Sequence, residues 1–132
     1  MASALLALLL VALGGFAGTV ARVWLTETVD TRWGDRFPAG TLTVNATGAL
    51  LIGVLAGTVL DPAAPAAAHS LLWLGLAAGT LGSFTTVSSF SLQTLALLRA
   101  GRTGTAAINI AGSLALCLAA AALGLVIGGT VS

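Results

Sequence analysis

Charged side chains are scarce in this chain of 132 residues. They make up 7% of it, whereas hydrophobic residues make up 58% and the mean hydropathy is +1.07. Because soluble domains carry about 25% charged residues, this composition excludes a water-soluble fold. The few basic residues are all arginine and form no continuous stripe, so we expect no nucleic-acid partner.

Residue types that carry catalysis are also few. The chain has one cysteine, one histidine and no tyrosine, and no nucleophile stands beside a base at helical spacing. We therefore predict that the protein is not an enzyme. Cys117 is expected to be a packing residue. His69 stands alone in a loop, where we expect neither a metal site nor a proton relay.

The ionisable side chains divide the chain into four uncharged blocks. The blocks comprise residues 2–21, 37–60, 70–98 and 103–132. Each block reaches the roughly 20 residues with which a helix crosses about 30 Å of hydrocarbon. We therefore predict an all-α membrane protein in which residues 1–132 form a single four-span transmembrane domain.

The connections between the blocks are short and more polar than the blocks. They are predicted at residues 28–36, 61–68 and 100–104, and Pro62 and Pro65 end the second helix. Short loops join helices that run antiparallel. The first block could instead be a signal peptide, but it lacks a basic n-region and is longer than the usual apolar core of one.

All five arginines lie toward the first and third of these loops, counting Arg22 at the end of the first span. In a four-span chain those two loops share one side, and the termini and the second loop carry no arginine. The positive-inside rule therefore predicts that the first and third loops are cytoplasmic and that both termini lie outside. Such a one-sided distribution favours a single fixed orientation in the membrane.

Each block contains two glycines spaced four residues apart. The pairs are Gly14 and Gly18, Gly53 and Gly57, Gly75 and Gly79, and Gly124 and Gly128. Among membrane lipids this spacing is typical of helices in close contact. Four thin helices are too small to enclose a pore, so we expect a dimer.

Residues 82–91 form a hydroxyl-rich run, GSFTTVSSFS, inside the third apolar block. Hydrocarbon offers no partners to polar groups, so six hydroxyls at this depth must face protein or a wet cavity. Asn45, Asn109 and Ser113 are further neutral polar residues within the blocks. They either replace the hydration shell of an ion or form hydrogen bonds between helices. A proton-coupled exporter would need a titratable group within a span, and its lack favours a passive pathway.

Three motifs follow one another along the chain: GGFAGTVAR at 14–22, PAGTLTVNATG at 38–48 and GSFTTVSSF at 82–90. They resemble, in order and separation, the GG-x-x-G-x-x-x-R opening, the second-helix asparagine motif and the G-G-x-T-T-F-S-T-F element of the Fluc (also called CrcB) fluoride channels. The resemblance covers essentially the whole chain. It implies a passive, fluoride-selective channel subunit that exports cytoplasmic fluoride across the cell membrane of a prokaryote and so relieves fluoride toxicity.

The resemblance also implies an assembly and a set of pathway residues. Members of the family are antiparallel dimers with two narrow pores, and their third helix is broken at mid-membrane. Asn45 would donate amide N–H groups to fluoride, and Phe90 would offer the positive edge of its ring. Thr86, Ser89 and Ser113 would add hydroxyls along the same path. The alternatives are that Asn45 only joins helices and that Phe90 only packs.

A structural sodium ion at the dimer interface is implied in the same way. The backbone carbonyls of Gly82 and Thr85 from each subunit would hold it. A glycine and a pair of β-branched residues weaken a helix at this point, and hard oxygen ligands suit such a cation. Arg22 would act electrostatically near the cytoplasmic vestibule or tether a helix. Alternatively, it extends its side chain to the lipid headgroups.

The chain departs from the family pattern at several positions. Val87 replaces the first phenylalanine of the third motif, and Gln93 stands where a glutamate is common. On the last helix Asn109 takes the place of a tyrosine, and Ala115 and Ala119 offer no hydroxyl. With the one-sided arginines, these losses favour a heterodimer with a homologous subunit over a homodimer. The alternative function is that of a non-conducting, structural subunit of such a heterodimer.

Overall fold

The structure is a computed structural model that describes residues 2–34, 36–59 and 70–131. Over these ranges the chain is helical apart from short connections. The helices are α1 (Ala2–Trp33), α2 (Ala39–Val59), α3 (71–84), α4 (Val87–Arg99) and α5 (Thr103–Val131). Pro62 and Pro65, on which the prediction of the second loop rests, lie outside the described residues, and so does His69.

Helix α3 changes its winding along its length. It begins as a turn of α-helix, Leu71–Trp73, continues as a π-helix over Leu74–Leu81 and ends in another α-helical turn, Gly82–Phe84. Thr85 and Thr86 then take extended backbone conformations, with ψ angles of 158° and 122°. The hydroxyl-rich run therefore spans the junction between α3 and α4.

Three of the described helices are long and apolar enough to cross a membrane: Ser3–Trp33, Ala39–Thr58 and Thr103–Thr130. Large apolar side chains are exposed along α1 and α5, for example Leu8 at 69% and Leu118 at 63%. An outer surface of this kind suits lipid or a second subunit. The prediction of an all-α membrane protein agrees with this helical, apolar architecture.

Helix α1 continues beyond the first uncharged block. The prediction of a loop over 28–36 is wrong for residues 28–33, which complete α1. The hydroxyl of Thr28 donates to the carbonyl of Trp24 at 2.7 Å, a bond within the helix. Charged side chains therefore mark where this helix leaves the apolar region, and they do not end it. Gly34, with a φ angle of +71°, follows its last residue.

The first and third connections meet at one end of the bundle. Asp30 near the end of α1 accepts a hydrogen bond at its Oδ1 from the N–H of Gly40, at 2.8 Å, and so ties α1 to the start of α2. The third connection is as short as predicted, and Gly101 turns it with a φ angle of +71°. The guanidinium of Arg102 donates to the carbonyl of Arg36. This bond joins the two arginine-bearing connections.

The paired glycines lie where helices approach each other most closely, as the sequence predicts. A methyl group at Gly18 would overlap the carbonyl of Thr80, so only glycine lets α1 lie against α3 at this point. On α2 and α5, Gly53 and Gly124 face each other's backbone in the same way. These two contacts pack α1 against α3 and α2 against α5.

Candidate functional site

The side chain of Asn45 on α2 binds the backbone of Thr86 at the junction between α3 and α4. Its Nδ2 donates to the carbonyl of Thr86 at 2.8 Å, and its Oδ1 accepts from the N–H of Thr86 at 2.7 Å. An asparagine amide has two N–H groups, and one of them is used here. Asn45 therefore joins α2 to the junction, and its second N–H forms no hydrogen bond with the described part of the chain.

The two carbonyls predicted to hold sodium lose their ordinary helical donors at this junction. In an uninterrupted α-helix the N–H of Thr86 would donate to the carbonyl of Gly82, and that of Ser89 to the carbonyl of Thr85. Here the Thr86 N–H donates to Asn45, and the Ser89 N–H donates to Thr86 Oγ1 at 3.2 Å. Both donors are thus diverted from the helical pattern, which fits a role of these carbonyls as cation ligands.

Three hydroxyls gather at the N-terminus of α4. Thr86 is the N-cap of this helix, and its Oγ1 lies 3.1 Å from Ser88 Oγ and 3.2 Å from Ser89 Oγ. The cap satisfies one of the free N–H groups with which every helix begins. The start of a helix also carries partial positive charge, so this cluster is a favourable environment for a nearby anion.

A groove of about 310 Å³ brings most of the predicted pathway residues together. Its lining comes from α2, the start of α4 and the middle of α5, and consists of Asn45, Thr86, Val87, Phe90, Ile110, Ser113 and Leu114. Ser89 is outside this lining and joins the site through its contact with Thr86. The lining contains amide, hydroxyl and aromatic groups and no ionisable side chain.

Val87 occupies an open position on this groove. Its side chain is 76% exposed, and Phe90 lies one turn further along α4. A phenylalanine at position 87 would therefore place a second ring on the wall of the groove without displacing buried atoms. The departure from the family motif affects the groove directly.

A second groove, of about 280 Å³, adjoins the first at Asn45, Thr86 and Val87. Gly82 and Thr85 line it, so the predicted sodium ligands lie next to the groove that holds Phe90 and Ser113 and do not share it. Further lining comes from Gly48, Ala49, Ile52, Leu81 and Cys117. Sequence reasoning assigned Cys117 to packing only. Its position four residues after Ser113, one turn along α5, is the signal that could have placed it beside the site.

Asn109 acts between helices. It is 2% exposed, and its Nδ2 donates to Thr94 Oγ1 at 2.9 Å, while Thr94 Oγ1 donates to the carbonyl of Phe90 at 2.7 Å. This chain of bonds fixes α5 against the part of α4 that carries Phe90. Of the two roles open for a neutral asparagine within a span, the interhelical bond is the one that Asn109 performs.

A separate cavity of about 290 Å³ lies at the end of the bundle where the arginine-bearing connections meet. Asp30, Phe37, Gln93 and Arg102 are among its lining residues, and Gln93 Oε1 is buried without a hydrogen-bond partner among the described residues. Arg22, half-buried on α1, lines neither this cavity nor the two grooves. The structure therefore leaves Arg22 apart from the other predicted site residues.

Comparison with known proteins agrees with these features. A family model described as CrcB-like protein, Camphor Resistance (CrcB) matches residues 9–125. The chain is 47% identical over 122 residues to a "Fluoride-specific ion channel FluC 2" of Rhodopseudomonas palustris, covering 89% of this chain and 88% of that protein. It is 47% identical over 116 residues to a "Fluoride-specific ion channel FluC" of Opitutus terrae, covering 88% and 87%.

A third relative, a "Fluoride-specific ion channel FluC" of Coxiella burnetii, is 44% identical over 121 residues, which cover 91% of this chain and 95% of that protein. These bacterial relatives and the three long apolar helices identify a multi-pass membrane protein. The matched region contains all three sequence motifs and both grooves. The chain therefore belongs to the CrcB family, the Fluc family of fluoride ion channels.

Proposed function

We propose that this protein is a subunit of a passive channel that exports fluoride from the cytoplasm. The groove at Asn45 carries the proposal, because it is neutral, runs beside a helix N-terminus and offers donors that an anion can use. The names of the relatives, which are fluoride-specific ion channels, support the same ion. Fluoride in excess of its external concentration would leave down its own gradient without coupling to protons.

The chemistry of the groove favours a small anion. The remaining N–H of Asn45 and the hydroxyls of Thr86, Ser89 and Ser113 would replace water around the ion. The edge of the Phe90 ring, which is the positive part of the aromatic quadrupole, would contact it between these groups. Fluoride approaches these donors more closely than the larger chloride does, and the stronger attraction would offset its higher cost of dehydration.

We further propose that residues 70–98 form the third of the four spans as a single broken element. In this arrangement α3 and α4 enter the membrane from opposite sides and meet near its middle at Thr85 and Thr86. The bond between Arg102 and Arg36 supports a common side for the two arginine-bearing connections. The positive-inside rule then places that side in the cytoplasm and both termini outside. Arg22 would stand near the cytoplasmic vestibule or reach the lipid headgroups.

A dimer completes this proposal. The apolar faces of the helices suit a second, antiparallel subunit. The carbonyls of Gly82 and Thr85 from both subunits, whose helical donors bind elsewhere, would hold a sodium ion at the interface. A bound cation supplies positive charge near the anion path and fixes the interface. One-sided arginines favour a homologous partner of opposite orientation over a second copy of this chain.

A second candidate function is that of a structural subunit that does not itself conduct. Val87 favours it, because an exposed valine stands on the groove where the family motif has an aromatic ring. In a heterodimer the partner would then provide the conducting pore. The two functions differ in whether fluoride flux depends on groove residues of this chain.

Fluoride efflux from liposomes tests the proposed function. Liposomes would contain this chain alone or together with a homologous subunit, and a fluoride electrode and a chloride electrode would follow the release of each ion. We expect fluoride release with little chloride release, in at least one of the two preparations. Equal release of both ions would contradict a fluoride channel. Fluoride flux that persists in the mixed preparation after Asn45→Asp in this chain would favour the structural subunit.

A further inference from the structure

We propose that Asn45 is the positioning residue of the cation site, because it withdraws the Thr86 N–H from the Gly82 carbonyl and so leaves that carbonyl free to bind a monovalent cation. The inference rests on the proposed cation site and goes beyond a role for Asn45 in the anion path. According to this inference, one side chain on α2 frees a backbone carbonyl of α3 to bind the cation.

The first step is the competition for a single N–H. Gly82 and Thr86 are four residues apart, the spacing at which an α-helix closes its hydrogen bonds. Asn45 Oδ1 accepts the Thr86 N–H at 2.7 Å, a short bond between a neutral donor and acceptor. Without that acceptor the same N–H would be unsatisfied in an apolar environment, and its available partner along the helix is the Gly82 carbonyl.

The second hydrogen bond of Asn45 holds Thr86 in a conformation in which its N–H cannot donate to the Gly82 carbonyl. Its Nδ2 donates to the carbonyl of Thr86 at 2.8 Å, so the N–H and the carbonyl of Thr86 both bind the side-chain amide of Asn45. Thr86 is extended, with φ of −150° and ψ of 122°, and cannot continue α3 in that state. The Thr86 hydroxyl accepts a hydrogen bond from the N–H of Ser89. In an uninterrupted helix that N–H would donate to the carbonyl of Thr85.

The surface of α2 is shaped for this contact. Gly48 lies one turn after Asn45, and a methyl group there would overlap the side chain of Thr85. The absence of a side chain at 48 thus lets the junction approach α2 closely enough for Asn45 to reach both backbone groups. Asn45 also lines both grooves, the one with Gly82 and Thr85 and the one with Phe90 and Ser113. One amide therefore connects the cation ligands with the anion path.

The test measures cation binding through thermal unfolding, separately from fluoride flux. Purified protein in its dimeric state would be unfolded in sodium chloride and in N-methyl-glucamine chloride at equal ionic strength. A ligand that binds only the folded state raises the unfolding midpoint, so the difference between the two salts reports sodium binding. Three variants are compared with the original protein: Asn45→Leu, Asn45→Asp and, as a matched control, Asn109→Leu.

Asn45→Leu has nearly the same size but accepts no hydrogen bond, so we expect the sodium-dependent rise of the midpoint to be lost. Asn45→Asp still accepts the Thr86 N–H but no longer donates to the Thr86 carbonyl, so we expect it to keep part of the sodium-dependent rise while its fluoride flux stops. Asn109→Leu removes another buried amide that does not contact the junction, and its sodium-dependent rise should equal that of the original protein. This pattern separates positioning of the carbonyls from a general loss of packing.

A full sodium-dependent rise in Asn45→Leu would overturn the inference. If Asn45→Leu does not fold, Asn45→Ala removes the same acceptor and decides the matter in the same way. If the original protein shows no sodium dependence, the cation site and this inference fail together, while fluoride efflux still tests the proposed function. If sodium dependence follows the expected pattern without fluoride efflux, the channel proposal fails and the inference stands.

Discussion

Asn109 and Thr94 are joined by a buried hydrogen bond of 2.9 Å that connects the last helix to the helix carrying Phe90. The hydroxyl of Thr94 in turn donates a hydrogen bond to the carbonyl of Phe90. The position of the ring along the groove therefore depends on a residue that does not line the groove. Stability and the geometry of the pathway are linked at this contact.

We predict that Asn109→Ala lowers the free energy of unfolding by about 1–2 kcal/mol, because a buried hydrogen bond is lost and a small cavity is left. Denaturant or thermal unfolding in detergent measures the loss. Fluoride should remain preferred over chloride, since the donors of the groove are intact. An abolished preference with unchanged stability would assign Asn109 to the anion path and not to stability.

Asn45→Asp should stop fluoride flux without preventing dimer formation. A carboxylate at this position places negative charge in a narrow path of low dielectric constant, where it repels an anion strongly. Liposome efflux measures the flux, and size-exclusion chromatography measures assembly. The matched control is Gln93→Glu, which makes the same change from amide to carboxylate outside both grooves. Normal flux in Asn45→Asp would leave Asn45 with a structural role only.

Val87→Phe should increase fluoride efflux from liposomes that contain this chain alone. The exposed position on the groove accepts a second ring, whose positive edge would extend the favourable contacts of Phe90 along the path. Leu92→Phe is the control, since Leu92 is 68% exposed on the same helix and lines neither groove. Equal efflux from the original protein and Val87→Phe would exclude position 87 from the conducting path.

Two glycines of α5 should respond oppositely to alanine. In Gly124→Ala the new methyl group would overlap the carbonyl of Leu50, so we expect a loss of about 1–3 kcal/mol of stability. At Gly112 no atom lies within 4 Å of such a methyl group. Gly112→Ala should be neutral or stabilise the helix by up to about 1 kcal/mol. Thermal unfolding compares the two, and similar losses at both sites would point to an interface at Gly112.

Single cysteines should reveal one orientation. Introduced at Ser3 and at Thr103 in a Cys117→Ser background, they would react with a membrane-impermeant thiol reagent from opposite sides of the membrane. Both original residues are exposed, so labelling is not limited by packing. We expect Ser3→Cys to react from outside and Thr103→Cys from the cytoplasm. Labelling of each position from both faces would indicate dual topology and make a homodimer the better assembly.

The helices and most of the candidate groove could be predicted from the sequence. The length of the apolar blocks and the spacing of the small residues can be read from it directly. Asn45, Thr86, Phe90 and Ser113 meet in one groove, as their common assignment to a pathway requires. The end of α1 was not predicted correctly, since charged residues end the apolar block but do not end the helix. The role of Asn109 depended on which side chain of α4 faces it, and a single sequence does not contain that relationship.

The π-helix at Leu74–Leu81 makes the winding of this stretch more important than the identity of most of its residues. A π-helix holds more residues per turn than an α-helix, and the hydroxyl of Thr80 donates to the carbonyl of Gly75, five positions back. If the same residues wound as an α-helix, each would turn about 100° around the axis, more than in the wider π-helix, and the excess would accumulate over the stretch. Thr86 would then be carried away from Asn45. A change of winding here would disrupt the junction even though every contacting residue was retained.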